Sequence, residues 1–407
     1  MAGTHLRVEM TALSSTQATL FRDALDLLSD KLLEDETRLG VAFPYVTAPD
    51  GSWDTMLASV SAGYTGENWS HGNWFCGFWV GLLLAAYLHR NDESYLRLAR
   101  ERMRLVKQRA DDPNTHDIGF IFRSSALPAH HITGEDAFAT VALKAASRLR
   151  SRLVRTDRGA YLSSWGSLDD PRARCSSAID TMANLALLYW ATEKTGDASY
   201  LFAAEAHAQM TRGAFIRDDL STYHAVQYVL PSGERARGYT FQGYADESCW
   251  SRGQGWAILG FADTAAATGQ VAYLELAQDL ADYFMRRIGD DPVAFWDFDD
   301  PAIPNAPRDT AASAIVANAL LKMAALDRDG TRAAKRRGQG LWLLEGLCRS
   351  SLAREASHRG LLKHGCYSKP HNIGADAAVL FGDFYFVDAL CQATMPGRFG
   401  PQFEPLG

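Results

Sequence analysis

Helical periodicity runs through most of this chain of 407 residues and limits the folds that it can adopt. Apolar residues recur three and four positions apart, and Ala and Leu are frequent among them. Alternation typical of strands does not persist beyond a few residues, and short β pieces are predicted near 119–122 and 223–230. The pattern therefore predicts an all-α fold. Its helical ranges are 77–109, 136–153, 180–210, 255–287, 310–326, 331–352 and 376–393.

Three stretches share one layout, in which a helix, a short turn and a second helix beginning with Tyr-Leu follow one another. They cover 82–103, 185–210 and 257–284. A helical hairpin cannot bury its apolar face alone, so neighbouring hairpins must pack together. The periodicity predicts about ten to twelve helices, which make about six hairpins. Six hairpins could close into an α/α toroid, and an open superhelix fits the same count.

Polar segments rich in aromatic residues, His and Gly separate the predicted hairpins. They cover 67–77, 115–122, 159–180, 221–255, 295–309 and 363–383. In a toroid these segments would gather at one end of the ring and line a pocket. No linker rich in Pro or Ser interrupts the chain, so we expect one domain over residues 1–407, with residues 1–15 as a loose N-terminal segment.

Composition and motifs exclude several classes of protein. With 41 basic and 48 acidic residues the net charge is −7, which argues against a nucleic-acid partner. The six cysteines form no CxxC pair, so we expect free thiols in a reducing compartment, the cytoplasm, and no zinc site. Neither a signal peptide nor an apolar run long enough to span a membrane is predicted. The GxSxG, HExxH, P-loop and GxGxxG motifs are also missing.

Two aspartates stand out as candidate acid–base groups. Asp117 lies between His116 and an apolar Ile-Gly-Phe turn, where the His could modulate the charge of a partly buried carboxyl. Asp180 begins a strongly apolar helix, and Asn184 follows one turn later, so both could face one cavity. The alternative for each aspartate is structural, because Asp117 could cap a turn and Asp180 is a favourable helix N-cap.

Aromatic and planar polar side chains concentrate in residues 239–256, just before a predicted helix. Amides suit sugar hydroxyls, an Arg such as Arg252 suits a carboxylate, and aromatic faces suit a pyranose ring. The combination is typical of acidic-sugar recognition. Trp74 and Trp165 lie in other polar segments and fit the same role, although packing of loops against helix ends explains them equally well.

Together these segments resemble the unsaturated glucuronyl hydrolases, glycoside hydrolase family 88, from about residue 68 to residue 390. The resemblance implies an (α/α)6 barrel and a hydrolase of short oligosaccharides that end in a 4,5-unsaturated uronic acid. It implies no metal or organic cofactor and no nucleic-acid or membrane partner, and it leaves the oligomeric state open. The motifs that carry it are NWFCGFWVG, HDIGF, IDTMANLALLYW, YHAVQY, FQGYADESCWSRGQGWAI, WDFDDP, and HGCY followed by GDFYFVDAL.

Residue by residue, the resemblance assigns Asp180 as the general acid/base and Asp117 as the second acidic residue, with His116 beside it. The chain departs from the family pattern at Ala183, where a Met is usual, and at Ala377 and Phe381, where an acidic residue and a Trp are frequent. These departures bear on substrate preference. The positions that match substrate-binding residues are Trp165, His224, Gln242, Arg252 and Trp256, and Trp74 matches an aromatic of the pocket wall.

The implied reaction is protonation of the C4=C5 double bond by Asp180, whose pKa we expect repulsion from Asp117 to raise. Two other hypotheses stay open. An unsaturated rhamnogalacturonyl hydrolase acting on pectin fragments would share the toroid and similar carboxylates. A non-catalytic helical-repeat protein that binds glycans would have Asp117 and Asp180 far apart or facing solvent.

Overall fold

The computed structural model of the protein describes residues 12–66, 68–70, 72–401 and 403. Helices dominate this part of the chain, and short antiparallel strands occupy the connections. The helices are α1 (Ser15–Leu39), α2 (Cys76–Arg90), α3 (Glu93–Val106), α4 (Ile118–Ser124), α5 (Ala126–Thr133), α6 (Asp136–Arg150), α7 (Pro171–Arg174), α8 (Thr181–Asn184), α9 (Ala186–Thr195), α10 (Ala198–Ala214), α11 (Ser251–Thr268), α12 (Val271–Ile288), α13 (Thr310–Leu326), α14 (Gly330–Ser350) and α15 (Leu380–Thr394). The strands are β1 (Ala42–Thr47), β2 (Trp53–Leu57), β3 (Gly63–Thr65), β4 (Asn68–Ser70), β5 (Leu153–Thr156), β6 (Gly159–Leu162), β7 (Ser176–Ala178), β8 (Ala225–Val229), β9 (Glu234–Tyr239), β10 (Gly365–Ser368) and β11 (Ile373–Ala377).

Six helical units, buried on nearly every side, form an inner ring. They are α2, α4 with α5, α8 with α9, α11, α13 and α15. Their sequences are apolar or small on all faces, as expected of helices surrounded by other helices. Each unit contacts the next around the ring, and α15 contacts α2. The last contact closes the ring and excludes the open superhelix.

Six outer helices alternate with the inner units along the chain and pack on them with one face. They are α1, α3, α6, α10, α12 and α14. In α3, for example, Leu96, Ala99 and Met103 are buried at helical spacing, whereas Arg97 and Glu101 are exposed. Two concentric rings of six make an (α/α)6 barrel, which confirms the predicted fold class.

Short turns join the inner helices to the outer helices that follow them. The three Tyr-Leu repeats are the α2–α3, α9–α10 and α11–α12 turns. In two of them Asp92 and Asp197 cap the outer helix, accepting from the backbone N–H groups of Ser94 and Ser199. Gly196 ends α9 at a φ of 72°, a left-handed conformation that favours glycine. Because successive helices run in opposite directions, these turns share one end of the barrel.

The long connections from outer to inner helices meet at the opposite end, as the six polar segments predicted. The antiparallel sheet of β7, β8 and β9 joins the connection before α8 to the connection before α11. The β10–β11 pair lies in the connection before α15. This end of the barrel therefore collects side chains from remote parts of the sequence.

The structure departs from the predicted elements in three places. The sequence pattern did not predict α1, although Ser14 and Gln17 form a capping box at its start. The β piece expected at 119–122 is wrong, since these residues belong to α4, whereas β8 confirms the expectation for 223–230. The helix predicted from residue 376 begins at Leu380. Of the segment 1–15 predicted to be loose, residues 1–11 lie outside the described residues, and Ser15 already begins α1.

Within the described part of the chain, no helix combines the length and the apolar character needed to cross a membrane. All six cysteines are free thiols, and five of them are buried.

Candidate active site

The two predicted acidic residues lie at the starts of neighbouring inner helices. Asp117 directly precedes α4 and Asp180 directly precedes α8. Gly119 allows the two helices to approach closely, because a Cβ at this position would lie 2.4 Å from the Cβ of Asn184. Asn184 accepts from the Phe120 N–H at 2.5 Å and donates to the Asp180 carbonyl at 3.0 Å. It therefore braces the helices, and its amide does not serve the site directly.

Asp180 has the environment of a catalytic acid. It occupies an N-cap position, but its side chain makes no capping hydrogen bond. Its Oδ1 is buried and has no hydrogen-bond partner among the described residues. Burial raises the pKa of Asp180 to about 7; the Asp117 charge adds to the rise, and Arg252 opposes it, as a charged His116 would. The expected repulsion from Asp117 thus contributes, but burial is the larger cause, and the carboxyl is partly protonated at neutral pH.

Asp117 accepts a hydrogen bond from a close neighbour in the chain. Thr115 Oγ1 donates to Oδ2 at 2.7 Å, and His116 Nε2 lies 3.2 Å from Oδ1. The carboxylate makes no capping bond to α4, so the structural alternative for this residue fails as it does for Asp180. The two acids thus differ in their surroundings, because Asp117 has a hydroxyl donor and an imidazole beside it whereas Asp180 Oδ1 has no partner among the described residues.

His116 is tied to the start of α8 on its other side. Its Nδ1 lies 2.6 Å from Thr181 Oγ1, which lies 3.0 Å from Ser164 Oγ. The backbone N–H of His116 donates to the Ser164 carbonyl at 2.8 Å. All three side chains are buried.

Arg252, in the first turn of α11, is buried and committed to protein acceptors. Its Nη1 donates to Asp309 Oδ2 and to the Cys366 carbonyl, both at 2.5 Å. Its Nη2 donates to Gln242 Oε1 at 2.7 Å and to the Tyr367 carbonyl at 2.6 Å. The sequence suggested a carboxylate clamp, whereas this guanidinium joins α11, α13 and β10 and orients Gln242.

His224 lies between aromatic rings with one nitrogen unused. Burial lowers its pKa well below the usual value, so the ring is neutral. Its Nδ1 lies 2.8 Å from Thr240 Oγ1, and its buried Nε2 has no partner within the described residues. The rings of Phe241 and Trp250 pack on it at centroid distances of 4.1 and 4.3 Å. A rigid neutral imidazole of this kind can donate to or accept from a sugar hydroxyl.

The three predicted tryptophans differ in accessibility. Trp165 keeps 7% of its surface exposed, and its Nε1 donates to Tyr64 OH at 2.8 Å. Trp74 stacks on Phe381 at 5.2 Å and 20°. Trp256 is 1% exposed and packs against Phe120 at 4.8 Å, so its ring belongs to the aromatic layer beneath the site.

Sequence reasoning gave no role to several residues that shape this site. The predicted residues are held in place by Ser164, Thr181, Asp309 and Tyr367. Two of these could have been found from the sequence, because Thr181 lies in the motif IDTMAN and Tyr367 lies in the motif HGCY. Over the described ranges, no three His, Cys, Asp or Glu residues are grouped so that they could hold a metal ion.

Comparison with known proteins gives a consistent set of relatives. No family model matches the chain. An unsaturated glucuronyl hydrolase of Bacillus sp. strain GL1 is 33% identical over 373 residues, which cover 90% of this chain and 94% of that protein. An unsaturated chondroitin disaccharide hydrolase of Streptococcus pneumoniae is 29% identical over 333 residues, covering 78% of this chain and 81% of that protein.

A solved structure extends the likeness to three dimensions. It is the unsaturated glucuronyl hydrolase of Bacillus sp. GL1, described as responsible for the degradation of glycosaminoglycan, with a TM-score of 0.83 and 31% identity over 95% of this chain and 99% of that chain. These names favour a glucuronyl over a rhamnogalacturonyl hydrolase, and a hydrolase over a non-catalytic binding protein. With one-third identity carried across nearly the whole barrel, the chain belongs to the unsaturated glucuronyl hydrolases, a family of glycoside hydrolases.

Proposed function

We propose that this enzyme removes the 4,5-unsaturated uronic acid from the non-reducing end of short acidic oligosaccharides, with Asp180 as general acid and base. One observation carries the proposal: the Asp180 carboxyl has a buried, unpartnered oxygen within the described structure and a pKa of about 7. Such a carboxyl can hold a proton at neutral pH and give it to a bound substrate.

The substrate end is a cyclic vinyl ether, C4=C5–O5, conjugated to a carboxylate. Transfer of the Asp180 proton to C4 leaves an oxocarbenium-like cation shared by C5 and O5. Water then adds to C5, and its proton passes to the Asp180 carboxylate. The resulting hemiketal opens by breaking its C5–O5 bond, and the neighbouring sugar leaves from C1. One water is consumed, and Asp180 ends the cycle protonated.

Asp117 remains charged throughout this cycle. Its Oδ2 accepts from Thr115 and its Oδ1 lies 3.2 Å from His116 Nε2, and these polar surroundings favour the charged carboxylate. Its negative charge favours the protonated form of Asp180 before the reaction and stabilises the cation during it.

Recognition of the sugar falls to groups with unused hydrogen-bonding capacity. Because Gln242 Oε1 accepts from Arg252, the Nε2 hydrogens of the same amide point away from the guanidinium. His224 Nε2 is a second such group, and Trp165 provides an aromatic face. Arg252 acts through Gln242 in this scheme.

The first test is Asp180→Asn, which keeps the shape of the side chain but removes the transferable proton. We expect kcat to fall by a factor of about 10² to 10⁴, with substrate binding nearly intact. Turnover of an unsaturated glycosaminoglycan disaccharide is followed by loss of the absorbance of the conjugated alkene. Asp169→Asn, at an exposed position in the same connection, is the matched control and should keep wild-type kcat. Near-normal turnover by Asp180→Asn would show that another group supplies the proton.

The second test addresses recognition. Gln242→Ala should raise KM about tenfold, the effect of losing one hydrogen bond to a bound polar group, and should change kcat less. Gln270→Ala is a suitable control, because Gln270 lies at the opposite end of the barrel and bonds to Glu205. An unchanged KM in Gln242→Ala would remove this residue from the binding site.

Substrate choice and location need separate measurements. Unsaturated glycosaminoglycan disaccharides should be turned over faster than unsaturated rhamnogalacturonan disaccharide, and the reverse order would favour a pectin-directed enzyme.

We propose the cytoplasm as the location, since six free thiols suit a reducing compartment. Fractionation of cells expressing the full chain checks this point.

A further inference from the structure

A chain of hydrogen bonds runs from the backbone of β7 to His116, whose ring lies beside Asp117. The Ala178 N–H donates to Ser164 Oγ at 2.7 Å, and Ser164 Oγ lies 3.0 Å from Thr181 Oγ1. Thr181 Oγ1 lies 2.6 Å from His116 Nδ1, and His116 Nε2 lies 3.2 Å from Asp117 Oδ1. Ser164 and Thr181 are fully buried and His116 is 4% exposed, so bulk water cannot replace these contacts.

The β7 end of this chain fixes its direction. A backbone N–H can only donate, so Ser164 Oγ accepts from Ala178 and its own hydrogen goes to Thr181. The Thr181 hydroxyl hydrogen then goes to His116 Nδ1, which must accept it. A neutral ring whose Nδ1 accepts carries its hydrogen on Nε2, the nitrogen that lies 3.2 Å from Asp117 Oδ1. The reverse direction leaves the Ser164 hydroxyl hydrogen without an acceptor among the described residues.

We infer that Ser164 and Thr181 are positioning residues that keep His116 neutral, with its hydrogen on Nε2, and keep Asp117 ionised beside Asp180. The catalytic consequence rests on the proposed function. A neutral His116 places its Nε2–H beside the Asp117 carboxylate, where it stabilises the negative charge, and adds no positive charge that would favour ionised Asp180. The proton shared by the two acids therefore resides on Asp180, where the substrate needs it.

The histidines and the tyrosine around this chain are neutral at neutral pH, and the two arginines are charged. His207 and His224 face His116, and burial lowers the pKa of both, so they carry no charge at neutral pH. Arg252 acts on Asp180 and is paired with Asp309. Arg152 and Tyr367 are the further groups that interact with Asp117.

The tautomer can be observed directly, without substrate. Enzyme labelled with ¹⁵N-histidine is studied by long-range ¹H–¹⁵N correlation at pH 7, and the His116 signals are those lost in His116→Asn. We expect a neutral ring with its hydrogen on Nε2. A protonated ring, or a hydrogen on Nδ1, overturns the inference. Because the measurement uses the resting enzyme, it remains decisive even if the wild-type protein turns over no unsaturated disaccharide, an outcome that would instead refute the proposed function.

Kinetics test the consequence through Thr181→Val, which removes the hydroxyl at similar volume. We expect kcat at the pH optimum to fall about tenfold, as for loss of one buried hydrogen bond, with KM unchanged. The acidic limb of the plot of kcat against pH should move to higher pH. Without the Thr181 hydroxyl the His116 ring no longer keeps its Nε2–H beside Asp117, and Asp117 therefore protonates more readily. Thr181→Ser should restore both kcat and the limb.

Controls separate this role from packing. Thr192→Val removes a buried hydroxyl in α9 that bonds only to the Leu188 carbonyl, and it should leave the pH profile unchanged. Should Thr181→Val fail to fold, Ser164→Ala takes its place and should move the same limb in the same direction. A lower kcat with both limbs at their wild-type positions, in a folded variant, would mean that Thr181 serves packing alone.

Discussion

Asp117 and Asp180 are the same residue type in two different environments. Asp117 accepts from Thr115 and lies beside the His116 ring, whereas Asp180 Oδ1 is enclosed without a partner among the described residues. Sequence motifs located both aspartates, but the burial of Asp180 depends on packing against other parts of the chain. For the same reason the sequence could not predict that Nη1 and Nη2 of Arg252 donate to protein acceptors, since Asp309 and Cys366 lie far along the chain.

The buried carboxyl of Asp180 should cost the protein stability above neutral pH. Its folded-state pKa is raised from 3.8 to about 7, so the stability due to the protonated form is full below about pH 4 and is lost as the pH rises from about 4 to about 7. Asp180→Asn cannot ionise, and we therefore expect it to be more stable than wild type at pH 8 by about 1–3 kcal/mol. At pH 5 the difference should be smaller, because the wild type has lost only part of this stability there. A stability difference that is equal at pH 5 and pH 8 would contradict a buried, neutral Asp180.

At the scale of elements, amphipathic hairpins were predictable and densely packed inner segments were less so. The Tyr-Leu repeats predicted three hairpins because their turns carry local signals such as the Asp92 and Asp197 caps. Residues 119–122 read Gly-Phe-Ile-Phe, which favours a strand locally, yet they lie in α4. Packing of Gly119 against Asn184 overrides that preference, and one sequence alone contains no record of this contact.

The first outer helix depends on a buried ion pair with the second. Arg102 on α3 donates to Glu36 on α1 through Nε and Nη2, both at 2.9 Å, and to the Ala42 carbonyl at 2.8 Å. Arg102→Ala leaves the largely buried Glu36 with the Trp79 Nε1–H as a donor but without its charged partner, and we expect a loss of about 3–5 kcal/mol in the free energy of unfolding. Arg97→Ala breaks an exposed pair with Glu101 on the same helix and should change stability by less than about 0.5 kcal/mol. Urea unfolding of both variants gives the comparison; similar losses would mean that the buried pair contributes little to holding α1.

At the scale of the whole molecule, closure of the ring brings the site together. Asp117, Asp180, Arg252 and Tyr367 arrive on four separate connections, and their positions depend on six inner units that each contact two neighbours. The sequence indicated six hairpins but fitted a ring and an open superhelix equally well. The deciding contact, α15 on α2, joins elements from opposite ends of the barrel sequence and leaves no periodic signal.

Gly81 provides the point where this closure can be tested. It lies on α2, and a Cβ there would be 2.4 Å from both the Phe384 ring on α15 and the Ser124 carbonyl at the end of α4. Because the carbonyl belongs to the backbone, Gly81→Ala should push the neighbouring helices apart and lower stability by about 1–3 kcal/mol. Gly338→Ala, at an exposed site in α14 with no atom within 4 Å, should instead stabilise the protein by about 0.5–1 kcal/mol through helix propensity. The kcat of both variants is measured well below the unfolding temperature, where both are still folded. If closure of the ring positions the acids, Gly81→Ala should have a lower kcat than wild type, whereas Gly338→Ala should keep the wild-type kcat. A folded Gly81→Ala enzyme with normal turnover would show that the connections hold the site without help from the tight α2–α15 contact.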